Sequence, residues 1–291
     1  MNKSVKSSRI DVMCAAVARE IEDGDLLGQG ISTPLVAAAY MLAKLTHAPN
    51  SVVTYTIGNA YSIDFFPLSL LYYEKNVIDH SFCLWSFADT VRDVVSHGRM
   101  DVELFRPAQI DMYGNTNNVV IGDYYRPRVR LPGCGGICDA TTSWDRVYFY
   151  VPNHSRDVFV DRLDFRSGLG FIEGPGLRQR TELGLLGKGP TKVFTDLGVM
   201  DFDEGSGRMR LASVHPGVSV VEIQESSGFQ IMVPDKVETT IGPSEEEARL
   251  LAERIDPFGI RFLESLSGEQ RTARILEIVD QESADYMRRG G

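Results

Sequence analysis

The stretch from Ser32 to Gly58, STPLVAAAYMLAKLTHAPNSVVTYTIG, holds a helix followed by a strand and decides the fold class. Thr33 can cap the helix, and Pro34 suits its first turn because the N–H that proline lacks would have no partner there. The β-branched run that follows the helix stops at Gly58, which is typical of a buried strand. One helix–strand unit of an α/β protein is therefore predicted here.

The neighbouring segments extend the same pattern. Residues 11–21 have apolar side chains at helical spacing, and residues 24–32 resemble a short strand that ends in glycines. The order helix, strand, helix, strand predicts an α/β fold with an open, mainly parallel sheet and flanking helices. Residues 192–214 alternate and turn at DEGSG, which predicts added antiparallel strands, and residues 218–233 predict further extended structure.

The C-terminal part of the chain, from about Glu245, is charged and helical in pattern, with breaks at DPFG and LSGEQ. The sequence shows no internal repeat, low-complexity tract or proline- and serine-rich linker. We therefore predict a single domain over residues 1–291, in which residues 244–291 form a helical C-terminal extension.

Composition excludes several classes of function. The 291 residues carry a formal net charge of −10 and show no basic stripe, so a main role in nucleic-acid binding is not expected. The N-terminal segment lacks a sustained apolar core, and the run PLVAAAYMLA is too short to span a bilayer. Four scattered cysteines do not suit a secreted disulfide scaffold. A cytoplasmic protein with reduced thiols and no membrane partner is predicted.

The segment LPGCGGICDATTSW, from Leu131 to Trp144, has the composition of a binding turn. A structural zinc site would need two further ligands near Cys134 and Cys138, and the histidines show no such spacing, so no metal is predicted. Adjacent glycines after a strand can aim successive N–H groups into one cavity that holds a phosphate or an oxyanion. The alternative is a tight turn that needs positive φ, and the pattern alone leaves both open.

A second glycine-rich segment, RSGLGFIEGPGLRQR, runs from Arg166 to Arg180. Its flanking arginines could approach a phosphorylated cofactor. A lone glycine loop is a weak signal, however, and a solvated loop is the favoured interpretation.

Six segments in order along the chain resemble the β subunit of class I CoA-transferases, specifically the glutaconate CoA-transferase-like branch. They are AREIEDGDLLGQG, THAPNSVVTYTIG, AQIDMYGNTNNVVIGDYYRPRVRLPGCGGICDA, GPTKVFTDLGVMDF, RMRLASVHPGV and IDPFGIRFLE. The resemblance runs from about Asp11 to Val279 and implies an open α/β sheet. It also implies a heteromer with a separate α chain and an acyl-CoA substrate, so that coenzyme A enters as part of the substrate and no cofactor is permanently bound.

The resemblance assigns a role to the glycine turn. In the family, a backbone nest after the RLPG strand stabilises the oxyanion of a thioester. The matching donors in this chain would be the N–H groups of Gly135, Gly136 and Ile137.

One position departs from the family. True transferases carry a glutamate at the end of the second strand, which attacks the acyl-CoA carbonyl, and that position falls on Thr56 in VVTYTIGNAY. Threonine is a poor nucleophile without an adjacent base, and its ester would not replace the anhydride that CoA must attack. The neighbouring Tyr55 and Asn59 are predicted to contact the substrate.

Three residues of the later motifs are further candidates for the acyl pocket. Asn115 and Asn118 either line the pocket or hold a turn. Trp144 follows the nest and either walls the pocket or belongs to the core.

Relatives that lack the glutamate suggest the chemistry. The segment LDFRSGLGFIEGPGLR resembles the steroid-degradation ring-opening hydrolases, in which an α-chain glutamate acts as base and water cleaves a carbon–carbon bond beside a carbonyl. The resemblance therefore implies a β subunit of a hydrolase acting on an acyl-CoA. A CoA-transferase, a decarboxylase of a 3-methylglutaconyl-CoA-like substrate and a non-catalytic binding subunit are the alternatives.

Overall fold

The computed structural model describes residues 7–31, 33–173 and 180–288. The chain forms two compact units, one from Met1–Phe87 with Ile241–Gly291 and the other from Ala88–Thr240. Within the described residues, no helix combines the length and the apolar character needed to cross a bilayer. The single domain over residues 1–291 stays a prediction.

The first unit is built on a sheet in which β1 and β2 run parallel while β3 and β4 are added antiparallel. Its elements up to the end of the sheet are α1 (Arg9–Ala18), β1 (Leu26–Gln29), α2 (Pro34–Thr46), β2 (Val52–Tyr55), a 3-10 turn (Ile57–Asn59), β3 (Ala60–Ser62), α3 (Tyr73–Asp79) and β4 (Cys83–Leu84). Almost all residues of α1 and α2 are buried, so these two helices form much of the core of this unit.

The start of α2 differs from its prediction in one respect. Pro34 occupies the first turn as expected, but the Thr33 side chain does not cap the helix and donates instead to the Gly30 carbonyl at 2.9 Å. The buried carboxylate of Glu264 accepts from the Leu35 N–H at 2.9 Å. A side chain far along the chain thus takes the place of the local cap, and no local pattern could have predicted this.

The second unit carries a sheet in the order β5–β10–β11–β12–β13–β14, with two small hairpins beside it. Its elements are α4 (Phe87–Thr90) continued by a π-helical turn (Val91–Val95), β5 (Val102–Phe105), β6 (Gln109–Ile110), β7 (Thr116–Asn117), β8 (Val120–Gly122), β9 (Pro127–Arg130), α5 (Ile137–Ser143), β10 (Val147–Val151), β11 (Pro190–Thr195), β12 (Gly198–Phe202), β13 (Met209–Val214), α6 (Val220–Glu225) and β14 (Glu238–Thr239). Strand β10 is buried throughout and pairs in parallel with β5 and β11.

The predicted fold class is confirmed, and so is the hairpin at DEGSG, which joins β12 to β13. The prediction of extended structure over residues 218–233 is wrong in part, because α6 occupies Val220–Glu225. Ser219 caps this helix by accepting from the Glu222 N–H at 3.1 Å. The β-branched residues suggested a strand, but the serine cap decides the local structure.

The C-terminal segment is helical as predicted and belongs to the first unit. It contains α7 (Glu245–Arg249) with a π-helical continuation (Leu250–Ile255), a 3-10 turn (Ile260–Ser265) and α8 (Gly268–Arg288). The buried guanidinium of Arg261 pairs with Asp256 at 2.8 Å and with Asp11 of α1 at 2.9 Å. This ion-pair network ties the two ends of the described chain together.

Candidate active site

Thr56 lies immediately after β2, at the carboxyl edge of the parallel pair β1–β2. Its side chain is exposed, and its N–H donates to the carbonyl of Gln29, the last residue of β1, at 3.1 Å. Ligands of open α/β sheets bind at this edge of the strands. The predicted position of the family glutamate is therefore accessible, and it presents a hydroxyl rather than a carboxylate.

Asp64 is the next carboxylate along the chain, and it cannot take over this position. It follows β3, which runs antiparallel to β2 with Ser62 opposite Val53 and Ala60 opposite Tyr55. The end of β3 therefore lies beside the beginning of β2, at the opposite edge of the sheet from Thr56. Matching the family glutamate to Asp64 instead of Thr56 would therefore not place a carboxylate at the end of β2.

A buried aromatic cluster lies behind Thr56. Tyr55 is only 1% exposed, with its ring centroid 5.7 Å from that of Phe66 and 6.4 Å from that of Tyr73. Its hydroxyl has no hydrogen-bond partner within the described residues, and burial raises its pKa well above the ordinary value. Tyr73 donates to the Gln29 side-chain oxygen at 2.8 Å. The burial of Tyr55 favours a role beneath the site. Its direct contact with substrate stays a prediction.

The turn after Thr56 is held in an unusual backbone conformation. Gly58 has φ of 71° and Asn59 has φ of 47°, which is uncommon for a residue with a side chain. The Asn59 carbonyl accepts from the Trp85 N–H at 2.9 Å, while its side chain is half-buried. Asn59 thus shapes the turn that follows Thr56, and its predicted contact with substrate stays a prediction.

The glycine turn of the second unit, where the resemblance predicts the nest, is exposed at the start of α5. Gly136 has φ of 80°, and a Cβ added at Gly135 or Gly136 would meet nothing within 4 Å. The N–H groups of both glycines have no partner within the part of the chain that the structure describes. The N–H of Ile137, by contrast, already donates to the Cys134 carbonyl at 2.7 Å. The free donors are therefore Gly135 and Gly136, and the predicted contribution of Ile137 would require it to share its proton.

Asn118 fixes the nest in place. Its carbonyl accepts from the Gly133 N–H at 3.0 Å, and its side-chain amide donates to the Arg106 carbonyl at 2.9 Å. Its side-chain oxygen accepts from the Ala108 N–H at 3.3 Å. These contacts favour a structural role for Asn118 over a position in the acyl pocket.

Asn115 is fully buried and locks two loops together. Its amide donates to the Asp111 carboxylate at 2.8 Å and to the Ile172 carbonyl at 2.9 Å, while its oxygen accepts from the Gly170 N–H at 2.9 Å. Burial raises the pKa of Asp111 above its ordinary value, and the hydrogen bonds from Asn115 oppose that rise. The alternative of a residue that holds a turn is favoured for Asn115.

Trp144 belongs to the core of the second unit. It is 1% exposed, its indole N–H donates to the Val95 carbonyl at 2.8 Å, and its ring lies 6.2 Å from that of Phe105. A Cβ added at Gly187 would lie 2.3 Å from the Trp144 carbonyl oxygen, so backbone closes over this residue. The core alternative is favoured over a pocket wall.

The glycine-rich loop that begins at Arg166 is described only in part, and residues 174–179 lie outside the described residues. Gly170 packs so tightly that an added Cβ would lie 2.1 Å from the Tyr113 carbonyl oxygen. The buried guanidinium of Arg180 donates to the carbonyls of Thr141, Gly170 and Gly187, and burial lowers its pKa to about 10. These contacts favour a structural role for Arg180, which joins three backbone segments, over contact with a phosphorylated cofactor.

The sequence patterns gave no sign of Glu103, on β5. The segment DVELF, residues 101–105, indicates only a strand. In the structure, desolvation raises the pKa of the Glu103 carboxyl group to about 8. The group has no hydrogen-bond or ionic partner within the described residues. A carboxyl group of this kind can exchange a proton near neutral pH. Only the desolvation of this half-buried side chain, which a sequence does not show, distinguishes Glu103 from an ordinary surface glutamate.

Comparison with known families and proteins adds to this geometry. The model of the coenzyme A transferase family matches residues 10–226. The B subunit of 3-oxoadipate CoA-transferase from Pseudomonas knackmussii is 35% identical over 242 residues, covering 83% of this chain and 90% of the relative. The B subunit of glutaconate CoA-transferase from Acidaminococcus fermentans is 30% identical over 257 residues, covering 85% and 92%. The cholesterol ring-cleaving hydrolase IpdB subunit of Mycobacterium tuberculosis is 28% identical over 259 residues, covering 88% and 97%.

Solved structures show the same relationship. Glutaconate coenzyme A-transferase from Acidaminococcus fermentans superposes with a TM-score of 0.76 at 28% identity, over 87% of this chain and 96% of the other. The decarboxylase AibA/AibB superposes with a TM-score of 0.74 at 25% identity, over 87% and 97%. Proteins named for transfer, ring cleavage and decarboxylation thus all resemble this chain, at identities of 35%, 28% and 25% respectively for the examples given.

Proposed function

Because the chain belongs to the coenzyme A transferase family, we propose that it is the β subunit of a heteromeric enzyme that hydrolyses a carbon–carbon bond in an acyl-CoA thioester. The observation that carries this proposal is the exposed hydroxyl of Thr56 at the end of β2, where the resemblance expects a glutamate. A transferase of this family stores its acyl group as an anhydride on that glutamate. Without a carboxylate at this position, the anhydride cannot form there. This favours the reactions of the family that proceed without an acyl anhydride on the enzyme.

The proposed reaction is balanced by water alone. Water adds to a ketone carbon of the substrate, and the bond from that carbon to its neighbour breaks. The electron pair moves into the thioester as an enolate, which then takes up a proton at carbon, while the former ketone carbon leaves as a carboxylic acid. CoA stays attached to the product throughout.

The nest would act on the negative charge of the enolate. Gly135 and Gly136 offer two N–H groups that the described protein does not use, at the start of a short helix. Donors held in place before the charge develops stabilise it without reorganisation, and losing one costs about 3 kcal/mol of transition-state stabilisation. The proton transfers are assigned to a glutamate of the α chain, as the resemblance implies.

A CoA-transferase is the second candidate. The 35% identity to the 3-oxoadipate CoA-transferase chain favours it, since that relative is more similar than the ring-cleaving hydrolase chain at 28%. Its mechanism would need a carboxylate nucleophile from another position in the heteromer. The likeness to AibA/AibB supports decarboxylation more weakly, at 25% identity.

The test is mass spectrometry on the complex of this chain with its co-purified α chain, incubated with a panel of acyl-CoAs in oxygen-18 water, with and without acetate. The hydrolase proposal expects oxygen-18 in a cleaved product that still carries CoA. Movement of CoA to acetate, with a CoA adduct on a glutamate of either chain, would overturn it in favour of transfer. Release of carbon dioxide without label would indicate decarboxylation, and no turnover with any acyl-CoA would favour a non-catalytic binding role.

A further inference from the structure

The β8–β9 hairpin of the second unit leads directly into the nest. Its strands pair from Val120 opposite Arg130 to Gly122 opposite Pro127. The pairing continues beyond β9, because the Leu131 N–H donates to the Val119 carbonyl and the Gly133 N–H donates to the Asn118 carbonyl, both at 3.0 Å. The hairpin and the nest are therefore one continuous, hydrogen-bonded piece of backbone.

The hairpin presents unpaired positive charge on an acidic protein. The side chains of Arg126 and Arg128 are exposed, and neither has a hydrogen-bond or ionic partner within the described residues. Arg130 lies 5.0 Å over the Tyr124 ring and donates to the Tyr124 carbonyl. The whole chain carries a formal net charge of −10, so this cluster is a local departure from the overall charge.

Two carboxylates that accept hydrogen bonds from the hairpin backbone are already engaged. Asp123 accepts from the N–H groups of Tyr125 and Arg126 at 2.9 and 2.8 Å. Asp164 accepts from the Gln109 side chain and the Gly122 N–H, both at 3.0 Å. The acids therefore shape the hairpin, and the two arginine side chains are left for a ligand.

An exposed aromatic side chain stands beside these arginines. Tyr125 is 87% exposed, and its ring makes only an edge contact with Tyr124, at 5.3 Å between centroids. Tyr124 itself is held by Phe165, which stacks on it at 5.5 Å. A fixed aromatic pair with one open ring face is a platform on which a nucleobase can stack.

We propose that this hairpin binds the adenosine 3′-phosphate 5′-diphosphate end of coenzyme A, an assignment that rests on the proposed function. Arg126 and Arg128 would pair with the phosphates, since the planar guanidinium matches phosphate oxygens in bidentate geometry. Tyr125 would stack on the adenine. From Arg126 to Gly133 the extended chain spans about 23 Å, which leaves room for the pantetheine arm to run along the hairpin to the nest.

The test is calorimetric titration of the complex of both chains with three probes: coenzyme A, adenosine 3′,5′-bisphosphate and pantetheine. The double variant Arg126→Gln/Arg128→Gln is compared with Arg249→Gln/Arg271→Gln, which removes the same charge from exposed arginines that also have no described partner. We expect the hairpin variant to bind coenzyme A and the bisphosphate about tenfold or more weakly, and pantetheine unchanged. The control should bind coenzyme A within about twofold of the wild type.

Tyr125→Ala separates the adenine from the phosphates. It should weaken binding of both adenine-containing probes about fivefold to tenfold and leave pantetheine binding unchanged.

The outcomes distinguish this assignment from the proposed function. If the wild-type complex binds coenzyme A and the hairpin variant binds it equally well, the hairpin assignment is overturned and the proposed function stands. If the wild-type complex does not bind coenzyme A, both are overturned. If the hairpin variant loses its α chain while the control keeps it, the hairpin is a contact between the two chains and the assignment is likewise overturned.

Discussion

At the scale of single residues, Thr56 presents an exposed hydroxyl where the resemblance predicts a carboxylate. Thr56 and the glycine turn follow the strands β2 and β9, as the sequence predicted, and their roles in the site stay predictions. Local patterns could not decide the roles of Asn115 and Trp144, because an amide in a turn motif and a tryptophan after a helix serve a core or a pocket equally well. Burial and hydrogen bonds, which depend on distant segments, decide that question.

Gly136→Ala tests the nest. Gly136 has φ of 80° and open space where a Cβ would stand, so the substitution strains the backbone by about 1 kcal/mol without a clash. We expect the turnover number of the complex to fall about tenfold to a hundredfold as the donors are displaced. Steady-state kinetics with the acyl-CoA identified by the oxygen-18 panel measures this.

Gly24→Ala is the matched control, since Gly24 has φ of 92° and equally open space. Both variants should lose about 1 kcal/mol of unfolding free energy, measured by urea denaturation. Equal turnover in the two variants would refute an oxyanion role for the nest.

His154 makes stability depend on pH. It is buried against Phe159 and hydrogen-bonded to Ser227, and desolvation lowers its pKa to about 3. The imidazole of His154 therefore binds a proton near pH 6.5 in the unfolded chain but not in the folded chain. As pH falls below about 6.5, protonation of the unfolded chain lowers the free energy of unfolding. Between pH 7.5 and pH 5 we expect a loss of about 2 kcal/mol from this group.

The measurement is the urea-unfolding free energy of wild type and His154→Asn at the two pH values. The variant should be less stable at pH 7.5 but should lose about 2 kcal/mol less on acidification. His97→Asn, at an exposed position, should keep the wild-type difference. An unchanged pH dependence in His154→Asn would show that other groups cause it.

At the scale of elements, the spacing of apolar residues predicted helices and strands better than residue type did. Helix α2 and strand β2 follow their periodicity, and only the cap of α2 differs, because Glu264 comes from the far end of the chain. In residues 218–233 the valines and isoleucines indicated a strand, although Ser219 carried the signal for a helix cap. Propensity is a weak guide where a short segment has a good cap.

One buried carboxylate joins α8 to residues 69–71. Glu282 is 4% exposed and accepts from the Leu70 N–H at 2.9 Å, the Leu71 N–H at 2.9 Å and the Ser69 hydroxyl at 3.0 Å. Glu282→Ala leaves these buried donors unsatisfied, so we expect a loss of about 2–4 kcal/mol in unfolding free energy. Urea denaturation measures this loss.

Glu277→Ala, on the same helix, removes a half-exposed carboxylate paired with Arg274 and should cost about 0.5 kcal/mol or less. A loss in Glu282→Ala no larger than in this control would mean that the Glu282 contacts do not stabilise the protein.

At the scale of the whole molecule, the chain carries a nest and an accessible Thr56, while the proposed proton transfers belong to another chain. We therefore expect the purified chain to show no turnover by itself. Added α chain should raise the turnover rate until this chain is saturated, and the rate should then stay constant. Turnover by this chain alone would contradict the assignment of the base to the α chain. The Gly136→Ala chain should reach its plateau at the same ratio and at a lower rate, because the role proposed for this exposed donor is in the reaction and not in assembly.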